Sequence, residues 1–122
     1  MISIDPSSPL SPVEQIRSQL AAQIRTGQLP ADTRLPPVRQ LATDLRVSAG
    51  SVAKAYKELE GAGLIRTARA AGTRVNPGHA TTKPLLRAAE TLALQAAEEG
   101  LGLTEAQGLL AHAWTQMQSA SR

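Results

Sequence analysis

Cysteine and phenylalanine are absent from the 122 residues of this chain, and its only aromatic side chains are one tryptophan and one tyrosine. Without cysteine the chain can have no disulfide framework, thiolate metal site or cysteine nucleophile. Hydrophobic residues make up 42% of the sequence, so a core can form, but it must consist of Leu, Ile, Val and Ala. Because such a core is thin, we expect oligomerisation to supply additional burial.

Long apolar segments are also missing. No stretch approaches the roughly 20 residues that a transmembrane helix requires. The first six residues, MISIDP, lack the basic and apolar regions of a signal peptide. We therefore expect a cytoplasmic protein with no membrane partner.

Acidic residues are scarce in one part of the chain. Residues 1–79 contain ten Lys and Arg against six Asp and Glu, whereas residues 80–122 contain three against four. The bias is strongest in residues 34–75, with eight basic and three acidic side chains. Such a concentration is typical of a surface that binds nucleic acid, although a surplus of this size also occurs on ordinary solvated surfaces.

Helix signals begin after residues 1–10, which contain three Ser and two Pro and predict a flexible N-terminal arm. Ser11 and Pro12 begin a first helix, with Glu14 at the capping-box position. A second helix starts at Pro37, and a third is capped by Ser48. A turn of three or four residues between these two helices is the spacing of a helix-turn-helix.

Two short runs with strand character follow, at residues 64–67 and 73–75, around a basic loop. They predict a β-hairpin, or wing. Residues 11–76 are therefore predicted to form a winged helix-turn-helix domain. Residues 77–84 would form a linker that begins with a proline-glycine turn.

Residues 85–122 predict two further helices, the second capped by Thr104 with Gln107 in the reciprocal position. The fold class is thus mostly α with a small β-hairpin, an N-terminal winged helix-turn-helix plus a C-terminal two-helix dimerisation element. A two-helix tail with an apolar stripe would expose that stripe as a monomer, so we expect a homodimer. The side chains expected in this contact are Leu85, Leu92, Leu110, Trp114 and Met117.

Several separated segments, PVEQI, IRTGQL, LPPVRQLA, LRVS, SVAKAYKEL and GTRV, resemble the GntR family of bacterial transcriptional regulators over residues 10–76. The short C-terminal part resembles the YtrA-like subfamily. The resemblance implies a DNA-binding regulator, expected to be a repressor, that binds a palindromic double-stranded operator as a homodimer. The recognition helix would enter the major groove and the wing the minor groove.

In a helix-turn-helix, the N-terminal residues of the second helix meet the base edges. Further contacts are expected from the preceding helix, where Arg39 stands at the family's Leu-Pro-x-x-Arg position, and from the wing tip. The candidate DNA-binding residues are Arg39, Ser48, Ala49, Gly50, Ser51, Lys54, Arg69 and Ala70. Arg66 and Arg74, beside the wing tip, are expected to meet phosphates or solvent.

The sequence departs from the family pattern at six positions, two of them in the wing, where Ala70 replaces a usual glycine and Arg74 a common aromatic residue. Ala49 and Ala53 stand where relatives carry arginines, and the loss of a bidentate guanine contact is worth about 1–3 kcal/mol of base discrimination. Asp32 and Arg46 replace turn glycines, whose left-handed backbone other residues rarely adopt.

Catalysis has no residue constellation behind it. His79 and His112 are isolated, and no phosphate-binding glycine loop, nucleophile elbow or metal-ligand spacing occurs. We therefore expect neither an enzyme nor a cofactor, while an unidentified small-molecule effector could bind between the two domains near Leu92 or Trp114. A winged-helix protein-interaction module without operator binding stays open as the alternative function.

Overall fold

The computed structural model describes residues 2–121 and contains a helical fold with one small hairpin. The chain divides into two compact units between Thr81 and Thr82. The predicted fold class, mostly α with a small β-hairpin, is confirmed. The elements in chain order are α1 (Pro12–Arg25), α2 (Val38–Leu45), α3 (Ala49–Gly61), β1 (Ile65–Ala68), β2 (Gly72–Val75), α4 (Lys83–Glu98) and α5 (Leu103–Ala120).

The helices of the first unit begin where the sequence predicts. The Ser11 hydroxyl accepts a hydrogen bond from the Glu14 backbone N–H at 3.2 Å, and the Ser48 hydroxyl accepts one from Ser51 N–H at 3.1 Å. Each bond satisfies one of the backbone donors that a helix start leaves open. The Glu14 carboxylate does not return to the cap; it pairs with Arg17 instead, which lowers its pKa.

Helix α3 is the centre of the first unit, because it packs against α1, α2 and β1. Its buried side chains recur every three or four residues, so one face of the helix lies in the core and the opposite face lies in solvent. The largest fully buried side chains of the unit are Ile16, Leu20, Leu41, Val52, Leu59, Ile65 and Val75.

The wing is wider than the predicted hairpin. Strands β1 and β2 pair antiparallel, with Ile65 opposite Val75. On the other edge of β2, Leu35 N–H donates to Thr73 O at 2.8 Å and Val75 N–H donates to Thr33 O at 3.0 Å. The segment that precedes α2 therefore extends the wing sheet along its outer edge.

The N-terminal segment differs from the flexible arm expected for residues 1–10. Ile2 and Ile4 pack against the core. The buried amide of Gln15 accepts from Asp5 N–H at 2.8 Å and donates to Asp5 O and Leu10 O. Gln19 makes a similar pair of bonds to the backbone of Ser3. Side-chain amides of α1 satisfy the backbone of this segment, and a composition rich in Ser and Pro carries no signal of such long-range bonds.

The predicted linker, residues 77–84, is largely attached to the first unit. Thr81 N–H donates to Arg25 O at 2.7 Å, and the Arg25 guanidinium donates to His79 O at 3.3 Å. Helix α4 begins at Lys83, with the hydroxyl of Thr82 as its cap. The predicted linker is therefore divided between the end of the first unit, at Thr81, and the start of α4, which Thr82 caps.

The second unit consists of α4 and α5, joined by a short turn. The sequence predicts Thr104 as the cap of α5, but the helix is capped by Gly102. The Glu105 carboxylate reaches back and accepts from Gly102 N–H at 3.4 Å. Within residues 82–121, Ala96 is the one buried residue. Within residues 2–121, neither this unit nor the first contains a helix long and apolar enough to cross a membrane.

Candidate nucleic-acid interface

The N-terminal end of α3 presents a small, open surface. Ser48, Ala49, Gly50 and Lys54 are exposed and Ser51 is half-buried. The buried face of the helix begins with Val52, so these residues project away from the core. The Ser51 N–H is bonded to the Ser48 hydroxyl, while the small side chains of Ala49 and Gly50 leave room for an approaching surface at the first turn. The structure therefore brings five of the candidate residues together at one helix end.

The two serines share their hydrogen-bonding capacity. Besides its cap bond, the Ser48 hydroxyl lies 2.9 Å from the Ser51 hydroxyl. A hydroxyl has one donor and two acceptor positions, so one hydroxyl proton of the pair stays available. Ser48 thus serves as the helix cap and can still join a polar contact through this pair.

Arg39 lies on the exposed side of α2. Its backbone carbonyl accepts from the Thr43 hydroxyl at 3.0 Å, while its guanidinium makes none of the ion pairs formed within residues 2–121. Helix α2 ends at Leu45, and its C-cap residue Arg46 has a φ of 59° and a ψ of 46°, in the left-handed region. This residue turns the chain into α3, as the turn glycine of the family would.

Arg69 and Ala70 lie in the exposed turn between β1 and β2. No hydrogen bond or ion pair within the described part of the chain uses the Arg69 side chain. The wing tip therefore presents one free cation beside a small residue.

The flanking arginines Arg66 and Arg74, expected to meet phosphates or solvent, also have partners within the chain. Arg66 pairs with the Asp32 carboxylate and donates to Val75 O and Asn76 Oδ1, each at 3.1 Å. Arg74 donates to Asp32 O at 2.8 Å and to Ala71 O at 3.1 Å. Both side chains hold the hairpin to the loop before α2, a partnership that only the folded chain reveals.

Within residues 34–75, six exposed cations take no part in the ion pairs found within residues 2–121. Three of them, Arg34, Arg46 and Lys57, were not candidate site residues from the sequence. Their signal was present in the basic bias of residues 34–75, but separating them from Arg66 and Arg74 requires knowledge of the partners. The six are Arg34, Arg39, Arg46, Lys54, Lys57 and Arg69.

Tyr56 holds α3 to the start of the helix-turn-helix. Its ring is buried, and its hydroxyl donates to Pro36 O at 2.7 Å. Burial raises the pKa of this phenol to about 12. The bond fixes the segment before α2 relative to α3, and so contributes to the position of the candidate contacts on both helices.

An apolar groove of about 530 Å³ lies between α4 and α5 in the second unit. Three of the predicted dimerisation residues, Leu85, Leu92 and Leu110, line it. Trp114 and Met117 lie further along α5, outside the groove, with 62% and 66% of their surfaces exposed. The predicted stripe is therefore present and uncovered.

No group of three or more His, Cys, Asp or Glu residues within residues 2–121 is placed to hold a metal ion. The backbone carbonyl of His79 serves the structural bond to Arg25. His112 is exposed on α5.

The fold and this surface together define a winged helix-turn-helix regulator of transcription. Residues 12–75 match the family described as bacterial regulatory proteins, gntR family. The chain belongs to this family, whose members are DNA-binding transcription regulators and not enzymes.

Two curated relatives illustrate the match. The HTH-type transcriptional regulator Rv1152 of Mycobacterium tuberculosis is 38% identical over 99 residues, which cover 81% of this chain and 82% of the relative. The HTH-type transcriptional repressor YtrA of Bacillus subtilis is 42% identical over 82 residues, covering 67% of this chain and 63% of YtrA. The chain thus spans somewhat less than two thirds of YtrA.

Solved structures show the same fold. YtrA from Sulfolobus acidocaldarius, a GntR-family transcription factor, is 31% identical, with a TM-score of 0.60 over 77% of this chain and 97% of that one. The DNA-binding domain of AraR, solved in complex with operator ORX1, is 24% identical, with a TM-score of 0.52 over 60% of this chain and 93% of that one. The likeness to AraR is one of fold.

Proposed function

We propose that this protein is a cytoplasmic, homodimeric repressor that binds a palindromic DNA operator, with α3 in the major groove and the wing in the minor groove. The observation that carries the proposal is the open N-terminal face of α3, accompanied by cations that have no internal partner. Family membership supplies the general activity, and this face supplies the residues that would perform it.

The N-terminal end of α3 suits the major groove for two physical reasons. Its backbone N–H groups and helix dipole favour an anionic phosphate. Ala49 and Gly50 allow close approach to the bases, while Lys54 lies one to two turns further along the helix, within reach of a phosphate or a guanine. Arg39, on the preceding helix, adds a contact beside this face.

The wing tip suits the minor groove. An arginine is attracted to the enhanced negative potential of a narrow minor groove, and a small neighbouring side chain allows the turn to enter. Arg69 and Ala70 provide this combination at an exposed turn.

A second copy of this chain is the proposed occupant of the groove between α4 and α5. With Ala96 as its one buried residue in the described range, this unit has almost no core of its own. Its exposed large side chains include Leu85, Leu110 and Trp114, and leaving such a contiguous patch in water is unfavourable. A small-molecule effector that bound in the groove would compete with this partner.

A dimer related by a two-fold axis presents two equivalent recognition helices, so its preferred operator has palindromic symmetry. Repression is proposed because the Bacillus subtilis YtrA relative is a repressor.

Selection of bound duplexes from a random pool, followed by affinity measurements against salt, tests the DNA-binding proposal. Selected sequences should be palindromic. The association constant should fall steeply with salt, with a log–log slope of about −0.9 for each phosphate contacted. A flat salt response and no enriched sequence would instead support the protein-interaction module.

Leu110→Glu tests the dimer. A charge in the groove should give monomers, and operator affinity should fall roughly 10²-fold because the two half-sites no longer act together. Leu94→Glu is the matched control, since Leu94 is exposed on α4 but does not line the groove. Sedimentation and operator binding are measured for both variants. Leu110→Glu monomers with full operator affinity would refute the dimer proposal.

A further inference from the structure

Arg34 has a defined position although its side chain is exposed and makes no ion pair with residues 2–121. Its guanidinium lies against the backbone of Gly72, the first residue of β2. A Cβ on Gly72 would come within 2.8 Å of Arg34 Nε and 3.2 Å of Nη2. Gly72 also has a φ of +72°, which other residues rarely adopt. The glycine therefore makes room for this side chain at the wing.

The backbone around Arg34 is held from two sides. On one side, Arg34 forms a backbone β-bridge with Arg74, and its neighbours Thr33 and Leu35 are hydrogen-bonded to β2. On the other side, the carbonyl of Pro36 accepts the hydroxyl of Tyr56 from α3. Arg34 thus lies in the short segment before α2, which is hydrogen-bonded both to β2 of the wing and to α3.

Arg34 differs from Arg66 and Arg74 in that its guanidinium has no hydrogen-bonded or ionic partner within the described residues. Arg66 and Arg74 are committed to Asp32 and to backbone carbonyls. Arg34 and Arg69 are the wing cations without such partners in the described range. A free guanidinium that is already positioned loses little further entropy when it binds.

We propose that Arg34 binds a phosphate of the DNA backbone, at a point between the contacts of the wing and those of α3. This inference rests on the proposed operator binding and adds a contact to it. A guanidinium can bind phosphate oxygens through two parallel hydrogen bonds. Because a phosphate carries no sequence information, Arg34 contributes affinity and register on the duplex, not base preference.

Arg34→Ala and Arg34→Lys, compared with wild type, test the contact. The probes are a duplex selected by the wild-type protein and a mixed-sequence duplex of the same length. Each dimer loses two phosphate contacts, one per subunit, so affinity should fall roughly 25- to 100-fold near 0.1 M salt for both duplexes, and the salt slope should become shallower by about 1.8. Arg34→Lys should retain most of the slope, because it keeps the charge.

Arg87→Ala is the matched control, since it removes one exposed arginine from α4 in the second unit. It should leave the slope unchanged. Thermal unfolding checks that Arg34→Ala folds as the wild type does. A variant that is folded, with wild-type affinity and slope, would overturn the proposal. If the wild-type protein itself showed no salt-dependent binding, the proposed function would fail before Arg34 was tested.

Gly72→Ala provides a second perturbation that leaves every charge in place. The new Cβ must displace the Arg34 guanidinium, so affinity should fall while the loss from Arg34→Ala in the same background becomes smaller. Equal losses from Arg34→Ala in both backgrounds would show that the position over Gly72 is irrelevant to binding.

Discussion

The Tyr56 phenol is a direct test of how α3 is fixed, because it is the only tyrosine in the chain. In the folded protein its pKa is raised by burial to about 12, from an ordinary value of 10.0. Burial disfavours the phenolate, and the neutral hydroxyl donates to Pro36 O at 2.7 Å. Alkaline pH should therefore loosen this attachment.

The magnitude follows from linkage between protonation and folding. A shift of two pKa units corresponds to about 2–3 kcal/mol of stability. Because the folded-state pKa lies above the unfolded one, this contribution is fully present below pH 10. It is lost progressively as the pH rises from 10 toward 12.

Two measurements check it. The ultraviolet absorbance of the phenolate, titrated in native and in denatured protein, should show midpoints near pH 12 and pH 10. Denaturant unfolding of wild type and Tyr56→Phe, followed by circular dichroism, should show the variant less stable at neutral pH by about 1 kcal/mol, for the lost hydrogen bond. The order should invert near about pH 11, because the variant has no phenol to ionise.

A native midpoint near pH 10 would refute the reasoning, since it would mean that the hydroxyl reaches water freely. Parallel stability curves for the two proteins between pH 10 and 12 would lead to the same conclusion.

Two further changes probe the backbone around the site. Arg46→Gly should raise the free energy of unfolding by about 0.5–1 kcal/mol, because glycine adopts the left-handed backbone without the penalty of a side chain; Arg46→Ala keeps that penalty, and a similar gain from it would contradict the argument. Gln15→Ala should lower the free energy of unfolding by about 1–3 kcal/mol and increase hydrogen exchange at Asp5, since three hydrogen bonds are lost. Gln19→Ala, which removes two bonds nearer to solvent, should cost less.

The parts of the fold that are encoded locally could be predicted from the sequence. Ser11 and Ser48 cap helices because a serine before an apolar periodic segment satisfies donors only a few residues away. In these cases the residues that determine the structure are neighbours in the chain. The left-handed turns at Asp32 and Arg46, where φ is 67° and 59°, follow instead from the family resemblance, which places turn glycines at these positions.

The features that the sequence does not reveal involve partners that are distant in sequence. Residues 2–10 are held by Gln15 and Gln19, whose positions on α1 carry no special pattern. Arg66 pairs with Asp32, which precedes the helix-turn-helix and lies 34 residues away in the sequence. The exposure of Arg39 and Lys54 follows from helical periodicity, whereas the location of Arg34 over Gly72 depends on how the wing folds back. Contact of any of these residues with DNA stays a prediction.

The positions of the cations without internal partners affect how the protein would distinguish operators. The exposed face of α3 carries Gly50, Ala53, Lys54 and Lys57, so few side chains there have both the length and the directional hydrogen bonds to read base edges. The free cations around it are suited to phosphates, which are the same in every sequence. If α3 enters the groove as proposed, total affinity is therefore dominated by salt-sensitive backbone contacts. Discrimination then depends on Arg39, on the shape of the minor groove at Arg69 and on the two-fold spacing of the half-sites. If the chain also dimerises as proposed, the spacing of the two half-sites gives the exposed stripe on α4 and α5 a direct role in operator choice.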